Sequence, residues 1–328
     1  MTETISPAGD VQLPDDAFDA DQAEGLVTSV SPSRMAVRRF RRHKLAVVSL
    51  MVFLAIAMIV ILAPITTRYG QIERLPAIGN KVGNSPPSWK AWFGTDDLNR
   101  DLYSRIIWGG RVSLLIGIAV AVVSSIVGTA VGAIAGLRGG FLDDALMRTT
   151  DLFLAFPTLV LLLVLRSMFS SLKWLKWLFG DLNSIRFIVV LLSILTWMGT
   201  ARIVRGVVLS LKEREFVEAS RALGASNSRI IVRHLIPNSI GPIIVSLTLA
   251  VVGAIVAEST LAFFGFGIDP VYATSWGGLL SDAKGAVIVG RWWLVVFPCA
   301  VFVLTILCVN FIGDGLRDAF DPKQDRSH

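Results

Sequence analysis

The side chains that usually carry chemistry are sparse in this chain and poorly spaced for it. His43, His234 and His328 are scattered, with no spacing that would let them ligate a metal together. Cys299 and Cys308 share one apolar stretch. Nine residues along a helix would hold them about 13 Å apart, too far for a disulfide, so both read as small buried hydrophobes. Asp143 and Asp144 are adjacent acids in a charged segment, where solvation accounts for them. A membrane-embedded enzyme would need a cluster of His, Asp, Ser or Cys at the membrane edge. No Gly-x-x-x-x-Gly-Lys-Ser/Thr loop is present to cradle a phosphate. Two features remain. Glu258 is an acid near the end of an apolar run, and Ser210 to Pro237 is a charged stretch between two such runs.

The elements that must position these groups follow from composition. Of 328 residues, 53% are hydrophobic and only 17% charged, and the mean hydropathy is +0.64. A soluble domain carries about 25% charge. The apolar residues gather in runs of the roughly 20 residues that cross a bilayer as a helix. The net charge of +6 follows Lys and Arg flanking those runs, and no aromatic-basic nucleic-acid module accompanies it. We place six spans near Leu45–Ile65, Val112–Leu137, Leu152–Phe169, Phe187–Val207, Asn238–Leu261 and Trp293–Gly313. The expected class is an all-α membrane protein with six transmembrane helices, its membrane domain occupying residues 45–328.

Residues 1–32 are acidic and polar, with Asp15, Asp16, Asp19, Asp21 and Glu24 close together. They are expected to form a disordered cytoplasmic tail and lack the pattern of a secretory signal. Residues 33–44 carry Arg34, Arg38, Arg39, Arg41, Arg42 and Lys44 among Met35, Val37 and Phe40, which predicts a short helix on the cytoplasmic membrane surface. That basic start beside the first span places the N-terminus inside. An even number of spans returns the C-terminus to the same side. The Arg202–Arg233 segment then also lies inside. The outer segment from Arg68 to Arg111 is about as rich in basic residues, so the orientation rests on the first helix.

The inner segment, about residues 210–236, predicts two short helices joined by a tight turn. Ser210 and Glu213 have capping-box spacing. Phe216, Val217, Ala219, Ala222 and Leu223 supply an apolar side, and Glu215, Glu218 and Arg221 supply charge. Gly224 stands where a helix ends in a left-handed turn, and Ser226 can cap the next helix. Such a slim, charged elbow suits docking in a cleft of a soluble partner. An ordinary solvated interfacial helix fits the same composition.

Two further patterns concern helix packing. Gly128, Gly132 and Gly136 make a small-residue stripe, which serves packing within the chain or a subunit interface. Pro157 and Gly199 would bend or loosen the third and fourth spans.

The elbow also carries a resemblance. Glu218-Ala219-Ser220-x-x-x-Gly224, followed after nine residues by His234-Leu235-Ile236-Pro237, resembles the EAA motif of binding-protein-dependent ABC importer permeases, with Ser220 in place of the usual second Ala. Other runs are similar to dipeptide and oligopeptide permeases. Phe93-Gly94-Thr95-Asp96-x-x-x-Arg100-Asp101-x-x-Ser104-Arg105-x-x-x-Gly109-x-Arg111-x-Ser113-Leu114 resembles their loop before the second span. Arg148-x-x-Asp151-x-x-Leu154-Ala155-Phe156-Pro157 resembles their third-span entrance. Glu258-x-x-Leu261-x-Phe263-x-Gly265-Phe266-Gly267, then Trp276-Gly277-x-Leu279, resembles their last outer loop. Gly313-Asp314-Gly315-Leu316-Arg317-Asp318-x-x-Asp321-Pro322 resembles their C-terminal end.

The resemblance covers nearly everything after about Ser33 and points to the C-type subunit of dipeptide, oligopeptide or nickel importers. It implies a type I ABC importer permease fold in a bacterial inner membrane. It also implies a homologous permease partner in a heterodimer, two ATP-binding subunits and an external substrate-binding protein. ATP and Mg would be bound on partner chains, with no cofactor or metal in this one, no catalytic residue and no nucleic acid partner. The elbow residues Glu218, Ala219, Ser220, Arg221, Ala222, Leu223, Gly224 and Ala225 would couple to the ATPase. Asp269, Tyr272, Trp276 and Asp282 could contact the binding protein, or merely pack the outer loops. Glu258 could line the path or make a structural hydrogen bond. The substrate is expected to be a peptide, with nickel or another small solute as the alternative. An ion-driven secondary transporter would need intramembrane carboxylates or broken helices in paired halves, and no convincing repeat is visible.

Overall fold

The computed structural model describes residues 32–76, 83–172, 184–270 and 273–320. The acidic tail to residue 31, Tyr272, and the Asp321-Pro322 end of the last motif lie outside them. Among the described residues the chain is helical apart from two isolated antiparallel bridges, Arg74 with Arg100 and Thr95 with Asp101.

The chain begins with α1 (Pro32–Arg42) and, after His43, α2 (Lys44–Ile61). His43 caps α2 by accepting the Ala46 N–H on Nδ1 at 3.1 Å. The 18 residues of α2 make a helix of about 27 Å, close to the hydrocarbon thickness of a bilayer. Leu45, Val48, Met51, Leu54 and Met58 are exposed along it, as a lipid-facing side requires. The chain next forms a loop ending at Asp101, whose carboxylate caps α3 (Leu102–Arg138) through the Ser104 N–H at 2.8 Å. Burial pushes the Asp101 carboxyl above the usual range, against the hydrogen bonds from Ser104 that favour its charged form.

At 37 residues, α3 is about 55 Å long and begins ten residues before the expected second span. Its first turns pack with the loop that precedes it.

The expected third span is broken. α4 (Gly140–Ala155) and α5 (Thr158–Ser171) meet at 95°. Pro157 stands at the joint because its ring excludes the residue before it from helical geometry. Among the described residues, five helices are long and apolar enough to cross a membrane alone, six spans if the bent pair counts as one. α6 (Ile185–Leu211) runs unbroken through Gly199, so the loosening expected there does not occur.

The elbow is formed by α7 (Glu215–Ala222) and α8 (Asn227–Ile230), and after it come α9 (Ile240–Phe263), the short helix α10 (Trp276–Asp282) and α11 (Trp293–Phe320). The glycine stripe resolves to packing within the chain. A Cβ on Gly128 would meet Trp197 O at 2.6 Å, and one on Gly132 would meet Ala201 O at 2.3 Å. One on Gly136 would meet Val208 Cγ1 at 2.9 Å. Backbone contact between α3 and α6 therefore requires residues without side chains.

Among the described residues, buried side chains form three clusters. One joins Ala133 and Leu137 of α3 to Val204 and Val208 of α6, and holds the elbow. A second packs Phe187, Leu191 and Leu195 of α6 with Val112 and Ile116 of α3. The third gathers Leu102, Ile106, Trp276, Trp293 and Val309 toward the opposite end.

Candidate functional site

The elbow is built from α7 (Glu215–Ala222) and α8 (Asn227–Ile230), which continues through a π turn over Ile231–Leu235. The expected Ser210–Glu213 capping box does not form. Ser210 belongs to the last turn of α6, where its hydroxyl donates to Val207 O at 2.7 Å. Arg214 occupies the cap position of α7, and its side chain makes no capping bond.

The turn after α7 is a Schellman motif. The Gly224 N–H donates to Arg221 O at 2.9 Å and the Ala225 N–H to Ser220 O at 3.0 Å. Gly224 has φ +80°, and a Cβ there would meet nothing within 4 Å. Backbone conformation, rather than space, demands glycine at this position. Ser226 then accepts the Arg229 N–H to open α8. The Ser220 hydroxyl donates to Phe216 O at 2.7 Å and lies 3.4 Å from His234 Nε2, so it ties α7 to the π turn.

The elbow has two unlike sides. Val217, Ile230 and Leu235 are fully buried against Ala133 and Leu137 near the end of α3 and Val204 and Val208 near the end of α6. Glu218, Ala219, Arg221, Ala222 and Gly224 face outward, and Leu223 at the tip is 89% exposed. A large apolar side chain held out by an ordered turn, with charges beside it, is suited to entering a pocket on another protein.

Further contacts brace the same end. Asp143 of α4 accepts a bidentate bond from Arg205 of α6, at 2.5 and 2.6 Å. Arg202 pairs with Asp151. Phe40 of α1 and Ala46 of α2 pack against α11 at Gly315. Thus α1, the elbow and the end of α11 share one end of the molecule.

The opposite end holds an ionic clamp. Arg105, 2% exposed, donates to Asp96 at 2.7 Å, to Asp282 at 3.1 Å and to Thr274 Oγ1 at 3.4 Å. Asp96 also accepts the Arg100 guanidinium at 2.7 Å. The run beginning Phe93-Gly94-Thr95-Asp96 thereby gains a structural meaning. Gly94 (φ +82°) lies where a Cβ would meet the Trp293 ring at 2.8 Å, and the Trp293 indole donates to Thr95 O.

Of the residues that could contact a binding protein or pack the loops, Trp276 is fully buried, and its indole donates to Ile106 O at 2.9 Å. Asp282 is half exposed, although Arg105 holds it, and Asp269 is half buried. Both line a cavity of about 230 Å³ with Arg105, Pro270, Thr274 and Ser281. Sequence reasoning did not assign Arg105 a role. The acids nearest it in sequence are visible, but its partners Thr274 and Asp282 come from distant positions.

Glu258 is fully buried. Its carboxyl lies among the hydroxyls of Ser275, Ser259 and Ser113, with Ser259 Oγ at 3.4 Å from Oε2. Among the described residues, no group of His, Cys, Asp or Glu side chains could hold a metal ion.

Comparison with known proteins accounts for nearly the whole chain. A family model described as the binding-protein-dependent transport system inner membrane component matches residues 128–326. Another, the N-terminal TM domain of oligopeptide transport permease C, matches residues 31–87. The chain is 40% identical over 308 residues to the oligopeptide transport system permease protein OppC of Bacillus subtilis (strain 168), covering 94% of this chain and 95% of that one. It is 35% identical over 332 residues to the dipeptide transport system permease protein DppC of the same organism, covering 99% and 98%. To OppC of Escherichia coli (strain K12) it is 40% identical over 291 residues, covering 88% and 90%. The fold is similar to that of the inward-facing MetNI methionine ABC transporter, with a TM-score of 0.51 and 18% identity over 65% of this chain and 94% of that one.

Proposed function

The chain belongs to the inner membrane components of binding-protein-dependent transport systems, and from that premise we propose that it forms half of a peptide-uptake path driven through its elbow. It is the membrane permease of an ATP-driven importer, and ATP hydrolysis is the work of separate chains. The other half of the path is a homologous permease in a heterodimer. Two ATPase subunits, which bind ATP and Mg, grip the elbow from the cytoplasm, where both termini also lie. A binding protein delivers peptide to the opposite end, over the clamp that includes Asp282 and the cavity that Asp269 also lines.

The observation that carries this reading is the two-sided elbow. Its buried foot rests on the inner ends of α3 and α6, and its exposed tip offers Leu223, Glu218 and Arg221. A partner that grips the tip can move those helices. Energy enters transport only if the grip differs between the inward-open and outward-open states, because a contact equal in both shifts nothing.

The test uses the assembled complex in liposomes, with peptide uptake and transport-linked ATP hydrolysis as readouts. Gly224→Leu forces a β-carbon onto a left-handed turn, and Glu218→Ala removes the charge at the tip. Each is expected to lower uptake by about tenfold or more, the scale of a coupling energy of 1–3 kcal/mol. Normal uptake and normal hydrolysis in both variants would overturn the proposal.

A further inference from the structure

The outer helix α10 is wedged between α3 and α9, and three kinds of contact fix it there. It lies close to the backbone of both neighbours. A Cβ on Gly277 would lie 2.4 Å from Ser259 Cα of α9, and one on Gly109 of α3 would lie 3.5 Å from the Trp276 backbone nitrogen. Its last residue, Asp282, is held by Arg105 of α3. Its first turn is held by two hydroxyls. Ser113 Oγ of α3 accepts the Trp276 N–H at 3.0 Å, and Ser275 Oγ accepts the Gly278 N–H at 3.1 Å.

Both of those hydroxyls border one carboxyl, that of Glu258 on α9. Each serine uses its oxygen to accept a backbone N–H of α10 and keeps its proton to donate. Glu258, fully buried, is the acceptor at hand. Its Oε2 takes the Ser259 hydroxyl, and among the described residues its Oε1 has no hydrogen-bond partner. A buried carboxyl oxygen left open is costly unless something completes it. The Ser113 and Ser275 hydroxyls are the donors that border it.

We propose that Glu258 is a positioning residue that ties the first turn of α10 to α9 and α3, so that a load placed on α10 from outside is transmitted to both spans. The inference rests on the reading that a binding protein docks at this end. It assigns to Glu258, which touches no surface, the step between docking and the response of the helices.

The experiment compares ATP hydrolysis by the assembled complex with and without its co-purifying binding protein, loaded from a tryptic digest of casein. Glu258→Ala is expected to lower the ratio of stimulated to unstimulated hydrolysis about fivefold or more. Co-purification of all subunits reports assembly. Glu258→Gln keeps one acceptor oxygen and should give an intermediate ratio. Ser275→Ala should lower the ratio less, and the two losses should combine to less than their sum, because the Ser275 hydroxyl borders the Glu258 carboxyl. An unchanged ratio in Glu258→Ala, or an equal proportional loss of both rates, overturns the inference. Should Glu258→Ala not assemble, unchanged ratios in both Glu258→Gln and Ser275→Ala overturn it. Absence of stimulation in the unsubstituted complex instead overturns the docking reading on which the inference rests.

Discussion

Arg105 shows how much a single side chain can organise at the outer end. It neutralises Asp96 in a buried setting and reaches Asp282, which is half exposed. The two bonds have unlike worth. Removing one partner of a buried pair leaves an uncompensated charge and costs about 3–5 kcal/mol, whereas a partly exposed pair contributes about 1 kcal/mol or less. Arg105→Ala is therefore expected to lower the thermal inactivation midpoint of the purified protein several times further than Asp282→Ala. Equal shifts would show that Arg100, also bonded to Asp96, replaces Arg105. The sequence places Asp96, Arg100, Asp101, Ser104 and Arg105 within ten positions, so a polar cluster is legible there. Asp282 and Thr274 are far along the chain, and no local pattern pairs them with Arg105. Glu258 was visible as an acid in an apolar run. Its serine neighbours were not, because Ser113 and Ser275 reach it only through the packing of three helices.

Among elements, the apolar runs made every long helix legible, because the bilayer imposes a length that composition alone satisfies. Two features depended on tertiary context. Pro157 marks a break, but the 95° angle between α4 and α5 is set by what each half packs against. Ser210 and Glu213 carry a helix-start pattern that the continuing α6 overrides. The glycine stripe was legible as close packing, while its partner became clear only from the approach of α6. This contact gives a sharp prediction. Gly132→Ala drives a Cβ to 2.3 Å from Ala201 O and should destabilise the protein by about 1–3 kcal/mol through overpacking. Gly206→Ala, on a helix with open space around it, should leave stability unchanged or raise it by roughly 0.5–1 kcal/mol. Thermal inactivation of the two variants measures the difference. A Gly132→Ala protein as stable as the parent would mean that the helices separate freely.

The whole molecule is polar along the membrane normal. The elbow, α1 and the end of α11 occupy one end, while the ionic clamp and α10 occupy the other. The proposed orientation makes the elbow end cytoplasmic. It is checked with Leu223→Cys in a background carrying Cys299→Ala and Cys308→Ala. A membrane-impermeant maleimide should label inverted vesicles and leave intact right-side-out cells unlabelled. Labelling of intact cells would reverse the topology and remove the elbow from the ATPases. Between the two ends runs the α3–α6 seam, where the α6 backbone and the Thr200 and Val208 side chains lie directly on the glycines of α3. Such a seam has nothing to compress and little room to slide. The two helices therefore form one stiff beam, and the elbow is bolted across its lower end. A displacement at the tip reaches the far side of the membrane as tilt of that beam, with hardly any of it absorbed on the way.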